Sequence, residues 1–224
     1  MTLQRLGSLH ALATSYTAAW SLPRPDSHRQ VEYSFEDAPQ EGHFALPTTK
    51  LTFLATELAR LKADRAELKR AIILAVHHPP VSSDSTHGSS PTMANEIDSI
   101  HSAAGVWPDL VLSGHAHLYQ RFSRSVGGRS IPVIVAGSGG HLARAPRTDL
   151  PPVGSDIGNY RMEIEPIFEL GYLTVTVDLN STAKPTLTGT FNSQAQNPTR
   201  DTFVLNLADG TVNERPNRRC SGPT

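Results

Sequence analysis

The chain has 224 residues, 20 basic and 21 acidic, and 38% of its residues are hydrophobic. That length and composition fit one substantial folded domain, or one domain with an appendage, rather than a disordered chain. The balanced charge without a dense Lys/Arg cluster gives no nucleic-acid surface, no stretch approaches the ~20 apolar residues that span a bilayer, and the lone Cys220 rules out an intrachain disulfide framework.

Residues 1–30 are a poorly patterned lead-in that ends in the turn-forming Pro23, Arg24, Pro25 and Asp26. Arg5 is followed by a mixed run (Ser8, His10, Thr14) rather than an apolar core, so no signal peptide is read and no compartment is named. Val31, Tyr33 and Phe35 alternate with polar residues and predict a short strand opening a domain over 31–207. Leu51, Leu54, Leu58 and Leu61 recur at helical spacing between charged residues, predicting an amphipathic helix to about Leu68, capped by Thr48 or Thr49.

The run Ala71-Ile-Ile-Leu-Ala-Val76 predicts a strand buried on both faces, ending in His77-His78-Pro79-Pro80. A polar loop leads to a helix from about Met93 to Ala104, and Asp109-Leu-Val-Leu112 predicts a second buried strand, ending in Ser113-Gly114-His115-Ala116-His117. Leu118 to Ala136 reads as a hairpin about Gly127-Gly128, running into Gly137-Ser138-Gly139-Gly140. Strands follow at Tyr172–Val177, Thr186–Phe191 and Thr202–Leu207, and residues 208–224 form a polar tail with Cys220. The alternation in the middle and the strand-rich end predict an α/β fold with a mixed β-sheet.

Among ten histidines, spacing separates the interesting ones. His77 and His115 each follow directly on a buried strand, and ligands bind at strand ends in open α/β sheets. His115 and His117, two apart in an extended segment, are expected to project from one side, with Gly114 allowing a sharp turn beside them. Neutral imidazoles so placed suit transition metals. His10, His28, His43, His101 and His141 lack such a context and are read as surface or packing residues.

Val76-His77-His78-Pro79-Pro80 and Gly114-His115-Ala116-His117-Leu118-Tyr119-Gln120-Arg121 resemble the last two metal motifs of calcineurin-like metallophosphoesterases and purple acid phosphatases. Ile134-Val-Ala-Gly-Ser-Gly-Gly140 is similar to the glycine-rich strand end that follows. The resemblance runs from about Tyr33 to Leu207 and is strong only from Ile72 to Gly140. It implies a calcineurin-like sandwich, with a mixed sheet and flanking helices, of which this chain carries the C-terminal half. It implies hydrolysis of phosphomonoesters or phosphodiesters by a metal-activated hydroxide. His77 and His115 would ligate one metal and His117 the other, with zinc, manganese or iron as the ion. His87, ten residues beyond His77, matches an accessory histidine that contacts phosphate or protonates the leaving group. His78, Tyr119 and Arg121 would face substrate.

The family's Asp-x-His, Gly-Asp and Gly-Asn-His segments do not occur; the lone Gly158-Asn159 is followed by Tyr160. Without their carboxylates, the expectation is at most one bound metal and weak or no activity. Asp84, Glu96 and Asp98, near the His77 loop, are the first acidic residues to consider. The competing expectation is a non-catalytic remnant or interaction module that uses an exposed sheet face against a partner, the missing N-terminal half included.

Overall fold

A computed structural model describes residues 8–10, 18–21, 48–67, 70–84, 87–140, 151–180, 184–194 and 199–214. In chain order the elements are β1 (Ser8–His10), β2 (Ala18–Ser21), α1 (Thr48–Ala66), β3 (Ile72–Val76), α2 (Pro91–Ala104), β4 (Leu110–Ser113), β5 (Tyr119–Val126) and β6 (Arg129–Ala136). They continue with β7 (Asp156–Ile157), β8 (Tyr160–Met162), β9 (Gly171–Asp178), β10 (Thr186–Ser193), β11 (Thr199–Asn206) and β12 (Val212–Glu214).

Two sheets result. A seven-stranded mixed sheet runs β2-β3-β4-β6-β5-β8-β7, and a five-stranded antiparallel sheet runs β1-β9-β10-β11-β12. Each thus takes one strand from residues 1–30, and β12 lies within residues 208–224, so those segments enter the sheets. The strand expected at Val31–Phe35 lies outside the described residues.

The apolar runs become strands for a simple reason: both faces of the seven-stranded sheet are covered. Ile72, Leu74 and Val76 of β3 pack with Leu54, Leu58 and Leu61 of α1 and with Met93, Ala94 and Ile97 of α2. Ile73, alternating with them, joins Leu110 and Leu112 of β4 against Leu173, Val175, Leu187, Phe191, Phe203 and Leu205 of the other sheet. The layers are therefore helix, sheet, sheet, as expected of an α/β sandwich. Among the described residues, β3, β4, β5 and β6 of the seven-stranded sheet send side chains into both cores. The outward side chains of the five-stranded sheet are the more open ones, with Tyr172 53% exposed.

Helix α2 is bounded by local chemistry. Pro91 opens it behind Ser90, and Gly105 closes it at φ 65°, its N–H bonding the carbonyls of His101 and Ser102. No described helix is long and apolar enough to cross a membrane.

Strands β3 and β4 run parallel with Val76 beside Ser113. Their C-terminal ends, and the loops that follow, therefore emerge side by side.

Candidate metal centre

At that shared edge the Gly114 N–H donates to the His77 carbonyl at 3.1 Å, joining the two histidine loops. After Gly114 the chain does not stay extended. The Ala116 N–H donates to Gly114 O at 2.7 Å and the Leu118 N–H to Ala116 O at 2.8 Å, two successive tight turns. His115 itself adopts φ 61°, the single described non-glycine residue with positive φ. The expected same-side projection of His115 and His117 from a strand is therefore replaced by a turn, and backbone conformation rather than strand alternation aims the His115 ring. Strain of this kind persists where the surroundings over-determine it.

The surroundings do so here. Gly137 at the end of β6 passes beneath the turn, its N–H bonded to Leu118 O at 3.1 Å. A Cβ on Gly137 would stand 2.0 Å from the Ala116 carbonyl oxygen. The glycine-rich strand end thus supports the histidine turn from below.

The polar loop after Pro80 is held by a residue that sequence reasoning missed. Buried Gln120 accepts from the Ser83 N–H at 2.8 Å and from the Ser83 hydroxyl at 2.6 Å, and its amide donates to Ser82 Oγ at 3.1 Å. Those bonds fold the loop back over the strand ends and bring His87 into the site. The signal was a Gln alternating with Tyr119 and Arg121 on a strand, on the face opposite theirs.

Five imidazoles meet. His77 Nε2 lies 3.1 Å from His115 Nδ1, and the ring centres of His78 and His115 are 4.2 Å apart. His77 and His78 are 4.8 Å apart, edge to face. His87 sits 4.3 Å from His115 and 5.2 Å from His117, linking the two. The His87 Nδ1 atom is buried with no hydrogen-bond partner among the described residues. Burial first, then the neighbouring His78, His87, His77 and His117 rings, push the His115 pKa down to about 3. The ring is thus neutral near pH 7, the form that ligates metals.

Among the described residues, one group of ligand-capable side chains has all its donor atoms within 4.8 Å of one another: His77, His78 and His115. His117 stands outside that group, reached through His87. No described carboxylate joins it. Asp98 is ion-paired with Arg124 at 2.7 Å, and Glu96 lines a groove between the helices with Leu51 and Ile100. Asp84 stays in the loop, its N–H bonded to Ser82 Oγ. A carboxylate-bridged pair of ions, the arrangement the resemblance implies, does not fit this all-imidazole donor set.

Two expected substrate contacts are corrected. Tyr119, the first residue of β5, and Arg121 are both buried, their polar ends turned to the second sheet rather than to the histidines. Tyr119 donates to Asp201 Oδ2 at 2.7 Å, Arg121 pairs with the same carboxylate at 2.8 Å, and the guanidinium lies 5.5 Å from the Phe203 ring centre. Being two apart on β5, they share the face turned to the second sheet. Desolvation and the Asp201 charge raise the Tyr119 phenol well above its ordinary value, keeping it a neutral donor. His101, read as a packing residue, is buried and stacked on Trp107 with ring centres 5.5 Å apart.

No protein-family model matches the chain. Among curated proteins it is similar to purple acid phosphatase 22 of Arabidopsis thaliana, 28% identical over 143 residues, which cover 59% of this chain and 32% of that protein. Purple acid phosphatase 18 of the same plant is 29% identical over 138 residues, covering 57% of this chain and 31% of that protein. The chain spans about a third of the length of these relatives. A solved structure titled "GAP50 the anchor in the inner membrane complex of Plasmodium" overlays with a TM-score of 0.47 at 17% identity, covering 70% of this chain and 42% of that one. An overlap that loose carries no argument.

Proposed function

We propose, on the premise that this chain is a relative of the purple acid phosphatases, that it is a metal-dependent phosphoesterase whose cleft lies at the ends of β3 and β4, with weak hydrolysis by the chain alone. One observation carries the reading: five imidazoles from two strand-end loops converge where α/β sheets bind ligands. A metal held there would supply positive charge to a phosphoryl oxygen and lower the pKa of bound water. The chain's own residues would do the rest. His115 presents a neutral nitrogen beside the His77 ring, and His87, with a buried unpartnered Nδ1, is placed to hold a proton against a phosphate or leaving-group oxygen.

Weakness follows from charge. Neutral rings offset none of the charge of two cations and fix no spacing between them. The test is hydrolysis of an aryl phosphate and a bis-aryl phosphodiester with added zinc, manganese or iron. Slow, metal-dependent turnover lost in His115→Ala supports the reading; fast turnover contradicts the weakness, and turnover unchanged in His115→Ala contradicts the site.

A second reading is favoured by the five-stranded sheet. Tyr172, 53% exposed, stands on its outer face with the half-buried Thr174, Thr176, Thr188, Thr190 and Thr202. A partner laid on that face would make the chain an interaction module, and Tyr172→Arg would then abolish the association without touching the histidines.

A further inference from the structure

We propose that His77, His78 and His115 form a mononuclear, all-imidazole metal site, with His78 as a ligand and His117 outside the coordination sphere. The inference rests on the metal-dependent reading above and replaces the ligand set that the resemblance implies.

Geometry selects the three. Two nitrogens on a tetrahedral ion with Zn–N bonds of about 2.0–2.1 Å stand about 3.3 Å apart. His77 Nε2 and His115 Nδ1 are already 3.1 Å apart. The His78 ring, 4.2 Å from that of His115 and 4.8 Å from that of His77, completes a group whose donor atoms all lie within 4.8 Å. Small side-chain rotations therefore suffice to bring three nitrogens onto one ion. His117 is not in that group, and its ring centre lies 5.2 Å from that of His87.

Chemistry then selects the ion and its ligand. Three neutral nitrogens and no described carboxylate favour zinc, cobalt or nickel over manganese or magnesium, which prefer oxygen donors. A divalent ion held by neutral ligands keeps its full charge and, at three protein ligands, an open fourth position. The matching ligand is an oxyanion, and inorganic phosphate is the simplest probe.

The test uses the full chain. Zn²⁺ and Mn²⁺ binding is measured by calorimetry, Co²⁺ binding by its visible absorption, each with and without inorganic phosphate. Expected are one Zn²⁺ per chain, tetrahedral-type Co²⁺ absorption altered by phosphate, and Mn²⁺ binding at least about tenfold weaker. His78→Ala should lower Zn²⁺ affinity at least about tenfold, while His117→Ala leaves it unchanged. In the unmutated chain, mass-spectrometric mapping of diethyl pyrocarbonate modification should show Zn²⁺ protecting His77, His78 and His115 but not His117, a readout independent of how either variant folds.

Two Zn²⁺ per chain, loss of binding in His117→Ala but not His78→Ala, or no saturable Zn²⁺ binding would each overturn the proposal. One His78-dependent Zn²⁺ without any hydrolysis would overturn the phosphoesterase reading and leave this one standing. Hydrolysis that needs His117 and two ions would do the reverse.

Discussion

His115 carries two burdens at once, a ring that must reach His77 and a backbone at φ 61° that costs a non-glycine residue about 1–2 kcal/mol. The two can be separated. His115→Ala and His115→Gly both remove the ring, but only glycine relieves the backbone. Urea denaturation should therefore find His115→Gly more stable than His115→Ala by about 1 kcal/mol, with metal binding lost in both. Equal stabilities would mean that the turn relaxes when the ring is removed. Gly137 poses the converse case, because its missing Cβ is what admits the Ala116 carbonyl. Backbone cannot swing aside as a side chain can. Gly137→Ala should cost about 1–3 kcal/mol and loosen Zn²⁺ binding, since the displaced segment carries His115. Parallel denaturation and Zn²⁺ titration of the variant check both halves.

Helix α2 holds a second histidine problem. The His101 Nδ1–H donates to Ile97 O at 2.7 Å, which leaves Nε2 bare, buried and without a described partner. Burial pulls its pKa below the ordinary 6.5, against smaller raising effects from the Ile97 carbonyl and Asp98. An unfolded chain then binds a proton on this ring at pH values where the folded chain does not. Stability from this site is therefore fully present above about pH 6.5 and declines as pH falls toward the depressed folded value. Denaturation at pH 7 and pH 5 should show a smaller acid loss in His101→Leu than in the unmutated chain.

The same element shows what sequence could reveal. Pro91 and Gly105 mark its ends, and the helical spacing of Met93, Ile97 and Ile100 its packed face. The continuous apolar runs of β3 and β4 were legible because burial on both faces leaves no polar alternation, and the Gly127-Gly128 turn marked the β5–β6 hairpin. The short pair β7 and β8 was not legible, since two or three residues carry no period. At the site, the strand-end histidines announced themselves by position. Their grouping did not, because it depends on a left-handed residue and on Gln120 pinning a loop 37 residues distant in sequence. Tyr119 and Arg121 misled because the fate of a mid-strand arginine is decided by its partner, and Asp201 lies on another sheet.

Across the molecule, two buried carboxylates tie the layers at different places. Asp109, at the start of β4, accepts from Arg65 of α1 and from the Ile72 N–H, while Arg65 also reaches Leu207 O beyond β11 at 3.0 Å. That clamp joins helix, first sheet and second sheet at the end opposite the histidines. Burial raises the Asp109 pKa, and the Arg65 charge works against it. Asp201 does the corresponding work between the two sheets, where Tyr119 and Arg121 of one converge on a carboxylate of the other. Removing one member of a buried pair strands the other, so Asp201→Ala should destabilise by about 3–5 kcal/mol in urea denaturation. Replacing both charges, Arg121→Met with Asp201→Leu, should recover part of that loss, because no unpaired ion remains. Recovery will be incomplete, since the Tyr119 hydroxyl still loses its acceptor, at about 1–3 kcal/mol. The double variant also tests the corrected role of Arg121. With Zn²⁺ loaded, its affinity for inorganic phosphate should equal that of the unmutated chain, because Arg121 faces the second sheet and not the strand-end histidines. A marked loss of phosphate affinity in a folded double variant would return Arg121 to the substrate site.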